Sequence, residues 1–126
     1  MINIAIAGAT GYTGSELLRL LYLHPDAKVI RITSEQHSGA EISSVFPQFG
    51  ELMDLTYEPL DPDTLVKDAD LVFLALPHTL SMETVPRVLK HGVRLVDLSA
   101  DFRLKDVSLY RTWYKVDHTA PEFLSQ

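Results

Sequence analysis

The sequence predicts a doubly wound α/β fold with a mostly parallel sheet, and three observations support this prediction. Segments with the pattern of strands alternate with segments typical of helices, as in sheets that helices cover on both faces. A glycine-rich turn, Gly8–Gly14, joins the first of these strands to the first helix. Residues 71–76 are apolar without interruption, which is typical of a parallel strand buried on both faces.

The chain opens with a strand–helix–strand unit. Ile2–Ala7 is a short apolar segment that predicts a buried strand, and the leucine-rich segment Ser15–Leu23 predicts an amphipathic helix. We expect this helix to end at His24, because a residue before proline disfavours the helical conformation. Ala27–Thr33 alternates apolar and polar residues and predicts a second strand, parallel to the first across a right-handed crossover.

The middle of the chain is less regular. A short helix is predicted within residues 40–45 and an edge strand within 52–57, and a helix should begin after Asp61, an acidic N-cap followed by proline. A further helix is expected to end at Gly92, with Pro86 causing a kink or a later start. Val93–Leu98 predicts the last strand, and residues 107–126 show no clear period.

Composition restricts the class of protein. The 126 residues fit one domain, and a formal net charge of −6 argues against nucleic acid as a partner. No apolar run approaches the ~18 residues of a membrane span, and the N-terminus lacks the layout of a signal peptide. The chain contains no cysteine, which excludes disulfides and thiolate zinc sites and fits the cytoplasm. The five histidines lack the spacing of metal ligands, so we expect no metal.

The turn Gly8–Gly14 has the sequence and the position of a dinucleotide-binding fingerprint, which predicts a Rossmann-type domain. In such a turn Gly8 would allow a tight reversal, Gly11 a close approach to a pyrophosphate, and Gly14 close packing of helix on strand. Free N–H groups at the start of the helix would then bind the phosphates. The alternative is a tight turn with a purely structural role.

Ligands of doubly wound sheets bind at the carboxyl ends of the strands, which directs attention to three further residues. Glu35 lies where an acid accepts hydrogen bonds from the hydroxyls of an NAD ribose, whereas Ser34 could donate to a 2′-phosphate, and a solvated loop remains the alternative. His78 follows a buried strand, which favours a role in the site over a hydrogen bond that stabilises the loop.

The last predicted strand leads into a polar segment with three candidate residues. Arg103 could bind a phosphate or carboxylate at two points, or form a salt bridge to Asp97 or Asp101. Asp101 could act as a base, although an acid after a strand more often caps a helix or forms a turn. Ser99 lies beside them at the same edge of the sheet.

Several segments of the chain together form a recognisable pattern. They are Gly8–Leu17, Phe73–His78, Asp97–Leu104 and Tyr110–Tyr114, together with His118 and Pro121–Glu122. This pattern resembles that of N-acetyl-γ-glutamyl-phosphate reductases. The match extends over nearly the whole chain, and its most specific part surrounds residues 97–104.

The resemblance implies an activity and a cofactor. Reductases of this family form a semialdehyde of arginine biosynthesis from an acyl phosphate with NADPH, and a cysteine thiolate forms a thioester on the way. The implied cofactor is therefore NADP, with NAD as the alternative. The residues implied for binding the cofactor are Gly8, Thr10, Gly11, Tyr12, Thr13, Gly14, Ser34, Leu76, Pro77 and His78. The residues implied for binding the substrate are Ser99 and Arg103.

Two departures from the family pattern matter. The chain has no cysteine, so we expect residues 1–126 to be the amino-terminal, dinucleotide-binding part of a longer two-domain reductase, inert by itself and without a catalytic residue of its own. Glu35 stands where many relatives have a basic residue, and a carboxylate there would repel a 2′-phosphate. The longer reductase is expected to be a homo-oligomer that binds a small acyl phosphate, with no membrane partner.

Three alternatives stay open at this point. The chain could belong to a related lysine-pathway reductase or to an aspartate-semialdehyde reductase, because all share the glycine turn. It could also be a nucleotide-sensing module without enzymatic activity.

Overall fold

A computed structural model describes residues 1–50, 52–77 and 80–98 of the chain. Five strands form one sheet in the order β3-β2-β1-β4-β5, and every pair of neighbours is parallel. The strands are β1 (Ile2–Ala7), β2 (Ala27–Thr33), β3 (Tyr57–Glu58), β4 (Leu71–Leu74) and β5 (Arg94–Asp97). The predicted fold class is therefore confirmed.

Helices connect the strands. They are α1 (Tyr12–Leu23), α2 (Ile42–Val45), α3 (Pro62–Leu65) and α4 (Leu80–Leu89), with a 3₁₀ turn at Pro47–Phe49. The N-cap of α3 is as predicted, because the Asp61 carboxylate accepts a hydrogen bond from the Asp63 amide at 3.3 Å. No helix within the described ranges is both long enough and apolar enough to cross a bilayer.

One predicted boundary is wrong. Helix α1 begins at Tyr12, three residues before the predicted start, because Gly11 already serves as its N-cap. Of the two effects predicted for Pro86, a kink or a later start, the structure excludes the later start, because α4 begins six residues before Pro86. The Pro86 carbonyl accepts a hydrogen bond from the Lys90 amide at 3.1 Å.

The predicted edge strand at 52–57 is also wrong in its extent, since β3 contains only Tyr57 and Glu58. The preceding residues pair elsewhere. Thr56 forms an antiparallel bridge with Glu41, and the Leu55 carbonyl accepts a hydrogen bond from the Ile42 amide at 2.9 Å. The segment that leads into α2 therefore pairs with residues 55 and 56, and the parallel pairing with β2 is confined to Tyr57 and Glu58.

The core has two layers, one on each face of the sheet. Alternate residues of β1 point to opposite faces, so Ile4 and Ile6 lie in one layer while Ala5 and Ala7 lie in the other. The first layer includes Leu18, Ile32, Ile42, Phe49 and Tyr57. The second layer includes Leu65, Val66, Val72, Leu74, Val85 and Val88. Burying each large apolar side chain stabilises the fold by about 1.5–3 kcal/mol.

The strand order reverses direction between β1 and β4. The chain passes from β1 through α1 to β2 on one side, and from β4 through α4 to β5 on the other. At such a switch point the loops diverge and leave a crevice outside the carboxyl ends of the strands. The loops that follow β1, β2 and β4 meet at this crevice.

Candidate functional site

A cleft of about 450 Å³ lies at the switch point. Each of the three adjoining strands contributes to it through the residues that follow its carboxyl end. The lining includes Gly8, Thr10 and Gly11 after β1, Ser34 and Glu35 after β2, and Leu76 and Pro77 after β4. A groove of about 500 Å³ lies elsewhere, against the first residues of β2, with Lys28 and Asp54 among its lining. The position of the cleft, rather than its volume, makes it the better candidate.

Gly8 brings the turn after β1 against the end of β4. Its φ is +82°, and a Cβ atom at this position would lie 2.5 Å from the Ala75 carbonyl oxygen. The Gly8 amide donates to the Thr33 carbonyl at 3.2 Å, which ties the same turn to the end of β2. Both the backbone conformation and the close approach therefore require glycine here.

Position 14 requires glycine for a different structural reason. A Cβ atom on Gly14 would lie 2.7 Å from the Cα atom of Ala9, so glycine lets α1 pack directly on the turn. No comparable packing contact or backbone conformation requires glycine at position 11. Its φ of −83° and ψ of −178° are open to any residue, and a Cβ atom there would meet no atom within 4 Å. The fold itself does not explain a glycine at position 11.

The first turn of α1 presents unpaired backbone donors. The Gly11 carbonyl accepts a hydrogen bond from the Ser15 amide at 2.9 Å, but within the described parts of the chain nothing accepts from the amides of residues 10–14. No side chain caps the N-terminus of α1. These N–H groups and the positive end of the helix dipole favour an anion at this edge of the cleft.

Ser34 and Glu35 form the opposite wall. The buried Ser34 hydroxyl oxygen accepts a hydrogen bond from the His37 amide at 3.1 Å and lies 3.5 Å from the Thr10 hydroxyl. The exposed Glu35 carboxylate accepts a hydrogen bond from the Leu60 amide at 3.2 Å. Hydroxyls and a carboxylate thus face the cleft from the end of β2.

Tyr57 lies beneath the turn, and sequence reasoning missed it. Its side chain is 1% exposed, and its hydroxyl donates to the Ala9 carbonyl at 3.1 Å. Burial raises the pKa of Tyr57 to about 12. The two residues are 48 positions apart in the sequence, so no local motif could have signalled the contact.

The predicted cofactor-binding residues fall into three groups. Gly8, Thr10, Gly11, Ser34, Leu76 and Pro77 all line the cleft. Gly14 is buried behind it, while the side chains of Tyr12 and Thr13 line a neighbouring groove of about 430 Å³ beside α1. The remaining predicted site residues, His78, Ser99 and Arg103, lie outside the described residues. Among the described side chains, no three or more His, Asp or Glu residues are grouped so that they could hold a metal ion.

The chain is similar to known proteins over its whole length. The family described as "Semialdehyde dehydrogenase, NAD binding domain" matches residues 3–125. The N-acetyl-gamma-glutamyl-phosphate reductases of Syntrophobacter fumaroxidans and Geobacter metallireducens are both 48% identical to it over 126 residues. A "[LysW]-L-2-aminoadipate/[LysW]-L-glutamate phosphate reductase" of Sulfurisphaera tokodaii is 44% identical over the same length. The match covers 100% of this chain but 36% of each relative, so the chain spans about a third of their length.

Solved structures agree on the fold. An aspartate semialdehyde dehydrogenase of Candida albicans, solved with NADP, matches with a TM-score of 0.71 and 19% identity over 82% of this chain and 31% of its own. A dihydrodipicolinate reductase of Paenisporosarcina sp. TG-14 matches with a TM-score of 0.60 and 20% identity over 77% of this chain and 37% of its own. With residues 3–125 matched to a single family, the chain belongs to the NAD-binding domains of semialdehyde dehydrogenases.

Proposed function

We propose that this chain is the cofactor-binding part of an N-acetyl-γ-glutamyl-phosphate reductase of arginine biosynthesis. The relatives at 48% identity support this assignment. The 126 residues contain no cysteine to act as the thiolate nucleophile of the thioester route. We therefore infer that the chain binds the cofactor without reducing the acyl phosphate by itself.

The observation that carries the proposal is the glycine at position 11. Its backbone conformation is ordinary and the space around it is open, so the folded chain would accept a larger residue. A pyrophosphate bound against the turn would use that space and would explain the glycine. The unpaired amides of residues 10–14 would supply its hydrogen-bond donors.

Each wall of the cleft then has a role. The backbone of Thr10, Gly11, Tyr12 and Thr13 would bind the pyrophosphate, and Ser34 and Glu35 would face the adenosine ribose. Leu76, Pro77 and His78 would lie on the nicotinamide side, and Ser99 and Arg103 would contact the anionic substrate. The bound nicotinamide would supply the hydride for the reduction.

We propose NADP rather than NAD as the cofactor. The resemblance to NADPH-dependent reductases supports this choice. The Ser34 hydroxyl, which accepts from the His37 amide, keeps a proton that it can donate to a 2′-phosphate or to Thr10. The Glu35 carboxylate opposes a 2′-phosphate, and its effect is open to direct measurement.

The proposal is tested by comparing the chain with its Gly11→Ala variant in calorimetric titrations with NADPH and NADH. We expect the unaltered chain to bind and the variant to bind at least about tenfold more weakly, because the added methyl would occupy the space of the pyrophosphate. Gly92→Ala is the control, since this exposed glycine lies before β5 at the other edge of the sheet. Failure of the unaltered chain to bind either dinucleotide, or equal binding by Gly11→Ala, would overturn the proposal.

Inertness is tested separately. We expect no oxidation of NADPH when the chain is mixed with N-acetylglutamyl phosphate, and turnover by the chain alone would refute this part of the proposal. A second candidate is that the chain is the cofactor-binding part of a reductase for LysW-linked acyl phosphates. The 44% identity to the LysW-linked phosphate reductase supports this candidate. Nuclear magnetic resonance (NMR) titrations with N-acetylglutamate and with LysW-linked 2-aminoadipate would separate the two candidates, because only the correct ligand should shift the signals of Ser99 and Arg103.

A further inference from the structure

We infer that Tyr57 is a positioning residue for the cofactor cleft, and that its hydroxyl holds the Ala9–Thr10 peptide so that the Thr10 amide faces a phosphate oxygen. The inference rests on the proposed function. It adds a residue from the far edge of the sheet, on β3, that the glycine motif does not contain.

The first step is the hydrogen bond beneath the turn. The Tyr57 hydroxyl donates to the Ala9 carbonyl at 3.1 Å, and both residues are almost fully buried. The Ala9 amide donates in turn to the Thr33 carbonyl at 3.1 Å. Ala9 is therefore held on both its amide and its carbonyl side.

The second step follows from the planarity of the peptide. In a trans peptide the N–H of one residue points opposite to the carbonyl of the residue before it, and the described residues contain no cis peptide bond. Fixing the Ala9 carbonyl on Tyr57 therefore directs the Thr10 amide away from the core. Thr10 lines the cleft, and its amide has no acceptor among the described residues.

The third step concerns the opposite wall. The Tyr57 amide donates to the Ala40 carbonyl at 2.8 Å, and its carbonyl accepts from the Gly39 amide at 2.7 Å. These two bonds close the loop that begins with Ser34 and Glu35. Tyr57 thus holds the glycine turn through its hydroxyl and the β2 loop through its backbone.

Because the hydroxyl and the backbone of Tyr57 make different hydrogen bonds, a substitution can test the role of the hydroxyl alone. A phenylalanine would keep the buried ring and both backbone bonds, and it would lose only the bond to Ala9. Burial raises the pKa of Tyr57 to about 12, so its hydroxyl remains a donor at neutral pH. A tyrosine that served only to fill the core could be replaced by phenylalanine without effect on ligand binding.

The test uses ADP-ribose, which has the pyrophosphate but no nicotinamide, and adenosine 2′-monophosphate, which lacks the pyrophosphate. We expect Tyr57→Phe to weaken binding of ADP-ribose by about three- to tenfold and to leave binding of the monophosphate within about twofold. The Thr10 amide signal should also move in the ¹H–¹⁵N spectrum. Tyr22→Phe, which removes an exposed hydroxyl from α1, should change neither.

Two amino-acid analogues separate donation from packing. Replacing Tyr57 by p-fluorophenylalanine fills the volume of the hydroxyl without a donor, so the variant should fold and show the same loss. Replacing it by p-aminophenylalanine restores an N–H donor and should recover binding.

The outcomes distinguish the inference from the proposed function. Unchanged binding of ADP-ribose by Tyr57→Phe and by the p-fluorophenylalanine variant overturns the inference and leaves the proposed function intact. An equal loss for both ligands means a general loss of structure and also overturns it. If the unaltered chain binds neither dinucleotide nor ADP-ribose, both fail.

Discussion

The carbonyl oxygen of Ala75 lies only 2.5 Å from the position that a Cβ atom on Gly8 would occupy. The turn after β1 therefore touches the end of β4 at the point where the strand order reverses. This contact closes one end of the cleft and leaves no room for a side chain. The geometry of the site thus depends on Gly8, which allows both the turn after β1 and its close packing against the end of β4.

We expect Gly8→Ala to destabilise the fold by about 3 kcal/mol or more, as measured by urea unfolding. A residue at a φ of +82° costs roughly 1–2 kcal/mol, and the clash with rigid backbone adds to this. Gly92→Ala is the matched control, since Gly92 has a φ of +75° but no atom within 4 Å of an added Cβ. It should show only the smaller, conformational cost. Equal losses in the two variants would contradict the close approach.

Much of the fold could be predicted because its signals are local. β1 is predicted from an apolar run that ends at the glycine turn, and β2 from an alternating segment that begins soon after Pro25. The structure confirms the bounds of both strands. The extent of β3 could not be predicted in the same way. Residues 55 and 56 pair with Ile42 and Glu41, and a pairing between distant segments leaves no mark on local hydropathy.

In the candidate site too, residues in local motifs could be predicted from the sequence, whereas a contact between distant segments could not. Gly8, Gly11 and Ser34 belong to segments whose positions after predicted strands could be read directly, and all three line the cleft. The contact between Tyr57 and Ala9 spans 48 residues and depends on the order of the strands. The sequence predicts a different reason for each of three glycines of the turn. The structure gives Gly8 the expected positive φ and Gly14 the expected close packing on Ala9, and it gives Gly11 no packing reason.

The Glu35 carboxylate should determine how strongly the cleft discriminates between the two dinucleotides. Its charge repels the added 2′-phosphate of NADP, at about 1 kcal/mol per pair of unit charges 4 Å apart in water. We expect Glu35→Gln to improve binding of NADPH relative to NADH by about tenfold in calorimetric titrations. Glutamine keeps an oxygen that can accept from the Leu60 amide, so the loop should remain in place.

Asp26→Asn is the control for this experiment. It removes the same charge at the start of β2, whereas the cleft lies at the carboxyl ends of the strands. It should change the affinities for NADPH and NADH in the same proportion. If Glu35→Gln left the ratio of the two affinities unchanged, the carboxylate would not face the ribose.

The Ser81 hydroxyl should stabilise the junction between α4 and β5. Ser81 is fully buried and donates to the Asp97 carboxylate at 3.0 Å. Hydrogen bonds to charged groups contribute about 1.5–3 kcal/mol, so Ser81→Ala should lower the free energy of unfolding by that amount. Ser44→Ala removes an exposed hydroxyl that donates only to the neutral Glu41 carbonyl, and it should cost less than about 1 kcal/mol. Similar losses in both variants would show that the Asp97 bond adds nothing.

Tyr57 should make the fold sensitive to alkali. Burial raises the pKa of its hydroxyl in the folded chain to about 12, against about 10 in the unfolded chain. Between these values the unfolded chain releases the proton first, so the stability that the neutral hydroxyl gives is complete below pH 10 and is lost as the pH rises towards 12. Urea unfolding should therefore give a free energy about 1 kcal/mol lower at pH 11 than at pH 9 from this group alone. In Tyr57→Phe this loss of stability between pH 9 and pH 11 should be absent, while the contributions of the other titrating groups remain. If the stability of the two proteins depended on pH in the same way, Tyr57 would not have a raised pKa in the folded chain.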